Sequence, residues 1–71
     1  MTLYLAEFDM ETVHDPGTDG MTKRYDKREI RIVDSMSEEG AWRKLKATIE
    51  RYEPYNIRIS VIPLKINAVI I

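Results

Sequence analysis

The sequence predicts an α+β fold. The element order is β-β-α-β(-β), giving a three- to four-stranded, mainly antiparallel sheet with one helix packed on one face. Three observations predict it. Two stretches of alternating polarity flank a proline- and glycine-rich turn at 15–20. Apolar residues then recur at helical spacing behind two serines, and the chain from Tyr55 onward is β-prone to its last residue.

The first strand is "TLYLAEFDMETV". Tyr4, Ala6, Phe8 and Met10 fall on one face, and Glu7, Asp9 and Glu11 on the other. "DPGTDG" supplies residues that turn a chain for backbone reasons. "MTKRYDKREIRIVD" resumes the extended pattern, with Ile30 and Ile32 on one face and Lys27, Glu29 and Arg31 on the other. The two strands should form a long hairpin. A register with Phe8 opposite Ile30 also sets Glu7 against Arg31 and Glu11 against Lys27, which opposite-charge pairing favours.

The helix is "SMSEEGAWRKLKATIERYE". Ser35 with Glu38 makes a capping box, Ser37 is a rival N-cap, and Glu38 and Glu39 suit the positive end of the helix dipole. Ala41, Trp42, Leu45, Ile49 and Tyr52 form the apolar stripe, and Pro54 stops the helix. Gly40 early in the helix allows close packing on the sheet. Trp42 and Tyr52 are assigned to the core; either one found outside becomes the first anchor candidate for a partner.

In "YNIRISVIPLKINAVII", Ile57, Ile59 and Val61 alternate with polar residues, and after Pro63 the apolar parity shifts to Leu64, Ile66, Ala68 and Ile70. A parity change at a proline implies a bulge, bend or break, hence two short strands or one bent one. The helix should cross from the second strand to place the next beside the first, in the order 2-1-3.

Seventy-one residues make one domain, 1–71, with little stability to spare. There are no cysteines, which fits a reducing cytoplasm, and the start of the chain lacks the basic region of a signal peptide. Eleven Lys and Arg against twelve Asp and Glu leave a net charge of −1, so there is no global pull toward nucleic acid or membrane.

Four groups of residues carry possible chemistry. Asp9, Glu11, His14, Asp15 and Asp19 could hold a divalent cation, but there is no second histidine and the spacing is not that of a calcium loop. Turn chemistry explains His14, Asp15 and Asp19 as an exposed hairpin tip, a natural contact point. No nucleophile elbow or phosphate loop is present, so no enzymatic activity and no cofactor are expected. Lys23, Arg24, Tyr25, Lys27 and Arg28 on the hairpin, with Arg43, Lys44 and Lys46 on the helix, could hold phosphates and stack a base, making nucleic acid the alternative partner. Interleaved Asp26 and Glu29 argue for an ordinary mixed-charge face instead.

The tail supports a protein partner. Leu64, Ile66, Ala68, Val69, Ile70 and Ile71 are β-prone and end the chain, so they could add as a strand to a target or to a second copy, or complete the domain's own sheet.

"IRIVDSMSEEGAWRKLKATIE" resembles the strand–acidic-cap–helix segment of many short phage-encoded proteins. The hairpin–helix–strand layout is similar to that of the small inhibitors by which T7-like phages block host RNA polymerase. The resemblance implies a protein that works by binding a larger one in the host cytoplasm. It carries no functional residue across, and the long charged hairpin and bent tail depart from that family's shorter layout.

Overall fold

A computed structural model describes residues 1–15, 17 and 22–69. It holds β1 (Thr2–His14), β2 (Lys23–Ser35), α1 (Glu38–Ile49), β3 (Arg51–Glu53) and β4 (Ile57–Ala68). The four strands form one antiparallel sheet in the order β2-β1-β4-β3, with α1 across one face. β4 therefore lies beside β1, as the crossover expectation requires. The molecule is elongated, 51 × 17 × 13 Å. Among the described residues, no helix is long and apolar enough to cross a membrane.

Tyr4, Ala6 and Phe8 of β1 point at the helix, where they meet Val33, Ala41, Leu45, Ile49, Ile59 and Val61 in the core. Phe8 is fully buried, and Trp42 packs edge-on against it, with ring centroids 6.5 Å apart. Trp42 is thus half-buried against the core, as its place in the stripe suggested.

The hairpin register is one residue away from the expected one. Phe8 faces Glu29, Glu7 faces Ile30 and Glu11 faces Asp26. A one-residue slip turns every side chain of β2 to the other face. Val33 and Ser35 go under the helix, while Ile30 and Ile32 stand on the open side and are exposed. Ser35 is buried at the end of β2, where a Cβ on Gly40 would lie 2.6 Å from its Oγ. That close approach uses the glycine as expected, and in the same parity Val33 rather than Ile32 points inward. A 12-residue helix also spans only about 18 Å. It leaves much of a 13-residue strand, about 43 Å long, uncovered.

Of the two candidate caps, Ser37 is the N-cap, its Oγ accepting from the Gly40 N–H at 3.0 Å. Two further expectations are corrected. The helix ends at Ile49, and Arg51–Glu53 pair with β4 as a short strand, a partnership that overrides the helical spacing of Tyr52. Tyr52 accordingly lies outside the core, 76% exposed.

At the tail, one bent strand replaces the two-strand alternative. The β1–β4 register shifts between Glu7 and Phe8, because Phe8 faces Pro63 and Glu7 faces Lys65. Leu64 is the extra residue, so the parity change read from the sequence is a β-bulge.

Candidate interaction surfaces

The face of the sheet away from α1 can be read row by row from the registers. One end is apolar: Leu5 stands beside Ile32, with Ile30 and Leu3 in the flanking rows and Ile62 beyond Asp9. Leu5, Ile30, Ile32 and Ile62 are 41%, 59%, 63% and 40% exposed. At the far end, Tyr52, Arg58, Val13 and Arg24 make one row across all four strands.

Between the two ends runs a ladder of ion pairs. Arg28 donates to Asp9 at 2.6 Å and to Glu7 at 3.2 Å, and Arg24 donates to Glu11 at 2.5 Å. The hydrogen bond and charge of Asp9, followed by those of Glu7, raise the pKa of Arg28 above its ordinary value. The observed register creates this ladder, since it brings Arg24 and Arg28 to the face of Glu7, Asp9 and Glu11.

No family model, curated protein or solved structure matches the chain. The functional reading therefore rests on these surfaces.

The basic residues are not gathered into one cationic patch. Arg24 and Arg28 stand in the ladder, Lys27 pairs with Glu29 at 3.5 Å, and Arg43 with Glu39 at 3.3 Å. Lys44 Nζ donates to the Asp34 carbonyl. Lys23 and Tyr25 lie on the helix-side face of β2, and Lys46 is exposed on α1. This arrangement favours the mixed-charge reading over phosphate binding.

At the hairpin end, His14 closes β1 between Lys23 and Ile57. Asp15 Oδ1 accepts the Gly17 N–H at 3.2 Å, an Asx turn, and Gly17 holds φ +105°, which side chains disfavour. Asp19 lies outside the described residues. Among the described residues, no group of three or more histidine, aspartate or glutamate side chains could hold a metal ion.

Of the tail residues, Leu64, Ile66 and Ala68 belong to β4, and the Val69 N–H donates to Leu3 O at 2.7 Å. Ile70 and Ile71 lie outside the described residues. The outer edge of β4 is paired by β3 only at Ile57–Ile59. Just beyond, Glu50 Oε2 accepts the Val61 N–H at 2.9 Å, and Pro63 has no N–H to offer. Sequence reasoning missed the open apolar face, because Ile30 and Ile32 alternate as core residues do. The one signal for it was Val33, which continues the same run with the opposite parity.

Proposed function

We propose that the chain is a non-enzymatic protein-interaction module that meets its partner with the open face of the sheet. The supporting observation is the exposure of Leu5, Ile30, Ile32 and Ile62 beside the ion-pair ladder. An exposed apolar patch on a small domain marks an interaction site, and charged groups bordering the apolar part are usual in a protein interface. Tyr52 adds an aromatic anchor at the far end of the same face. The occupant is a larger folded protein with an apolar patch of its own. The resemblance to small phage-encoded inhibitors supports a host enzyme in the cytoplasm, and makes bacterial RNA polymerase the first purified probe.

The test is affinity capture from host extract and from that purified enzyme, with the captured protein identified by mass spectrometry. Ile30→Lys with Ile32→Lys should cut retention of that protein at least tenfold, whereas Lys46→Ala on the outer side of the helix should leave it unchanged. Equal retention by the double variant rules this face out. A nucleic-acid partner would instead show binding that falls steeply with salt.

A further inference from the structure

We propose that two copies of this chain pair through the outer edges of β2, antiparallel about a twofold axis at Arg31, joining their sheets into one.

Backbone directions identify the groups that are available. Along a strand, successive residues bond to alternate sides. The Val61 N–H turns away from β1 to Glu50, and the Val69 N–H turns toward β1 at Leu3 O. Odd residues of β1 therefore bond to β4 and even ones to β2. Through the register, Tyr25, Lys27, Glu29, Arg31 and Val33 bond back to β1. The even residues from Arg24 to Asp34 direct their backbone groups outward, and no strand covers them among the described residues. Lys44 takes one of these groups, the Asp34 carbonyl.

The two long edges are treated differently. As far as Leu64, β4 is guarded by β3, the Glu50 carboxylate, Pro63 and the bulge, devices that keep sheet edges from pairing. Among the described residues, only the short stretch 65–68 of its edge is uncovered. β2 runs for 13 residues in unbroken register, with neither proline nor bulge. Its remaining protection is charge, and its charges have both signs.

Those charges match under a twofold axis. With Arg31 on the axis, Ile30 faces Ile32 of the second copy and Arg28 faces its Asp34, each pair occurring twice. Leu5 adjoins Ile32, so the apolar strip runs unbroken from one copy into the other. Arg31 meets its own mate, with Glu29 of each copy diagonally beside the pair. About six backbone hydrogen bonds form, two for each isoleucine pair and one for each Arg28–Asp34 pair. The neighbouring axes give a more interrupted strip or fewer bonds. An axis at Glu29 sets Glu29 against itself and Lys27 against Arg31. An axis at Ile30 opposes Glu29 to Arg31 but sets Asp26 against Asp34 and cuts the strip with Arg28. An axis at Ile32 sets each Ile30 against Asp34 and forms about four backbone hydrogen bonds.

This dimer uses the edge of the sheet and leaves its face open, so it stands apart from the partner reading above. Its test uses the purified full-length chain alone, and its failure leaves that reading intact. Sedimentation should give twice the 8.3 kDa chain mass. The chain has no cysteine, so Glu29→Cys, Ile30→Cys, Arg31→Cys and Ile32→Cys each carry one thiol, on half-buried Glu29 or on an exposed position of β2. At the axis, the Arg31 pair is a non-hydrogen-bonded one, with Cα atoms about 4.5 Å apart, within disulfide range. Arg31→Cys should therefore cross-link several-fold faster under mild oxidation than the other three. A single-copy mass, a mass above two copies, or cross-linking no faster at 31 than at its neighbours overturns the proposal.

Discussion

Glu50 accepts the backbone N–H of Val61 at 2.9 Å, so a side chain completes the sheet edge where β3 stops. The contact links the end of the helix to the bent strand. Glu50→Ala leaves that N–H, in a partly buried setting, without its acceptor, which costs about 1–3 kcal/mol. Glu50→Gln keeps an acceptor oxygen and should lose less. Urea unfolding of the three proteins checks the order. Equal stability for all three would show that water replaces the carboxylate at no cost.

The Phe8–Trp42 pair is the second expectation. Phe8 is fully buried and receives the edge of the indole. Phe8→Ala should cost about 3–5 kcal/mol, enough to leave so small a domain largely unfolded. Phe8→Leu preserves most of the volume and gives a measurable variant. A double-mutant cycle of Phe8→Leu with Trp42→Leu should return a coupling of about 0.5–1.5 kcal/mol. A coupling near zero would mean that the rings contribute by area alone.

Gly40 tests the packing of the helix against the end of β2. A Cβ there would stand 2.6 Å from Ser35 Oγ and 3.1 Å from Ser37 Oγ, the N-cap oxygen. Alanine gains up to about 1 kcal/mol in helix propensity, but overpacking costs about 1–3 kcal/mol. Gly40→Ala should therefore lower the urea midpoint, and adding Ser35→Ala should recover part of the loss. A higher midpoint for Gly40→Ala alone would show that Ser35 gives way freely.

The elements that could be read from the sequence depend on local chemistry: the Asp15–Gly17 turn, the Ser37 cap and the parity change at Pro63. What could not be read depends on contacts between distant segments. Both registers offer opposite-charge pairs, so charge does not choose between them, and the observed one places Val33 and Ser35 under the helix. β3 exists because Arg51 and Tyr52 find Ile59 and Arg58, although their spacing continues the helix. The open face was hidden for the same reason. Ile30 and Ile32 alternate like core residues, and only the observed register, which turns Val33 inward, puts them on the face away from α1.

The turn between β3 and β4 ties backbone strain to the proposed binding face. Tyr55 and Asn56 hold φ of 68° and 57°, in the left-handed region. Asparagine tolerates that conformation, but for a bulky residue it is unfavourable. Tyr55 gains no burial in return, since it is exposed. Tyr55→Asn should therefore raise stability by about 1 kcal/mol, read as a higher urea midpoint. Tyr55→Gly should gain less, because glycine also frees the unfolded chain. Strain of this kind is commonly kept where a side chain has work to do, and Tyr55 lies three residues from Tyr52 at one end of the open face. If the tyrosine serves binding, Tyr55→Asn should be more stable yet retain less of the captured partner. Higher stability with undiminished capture would confine Tyr55 to the turn.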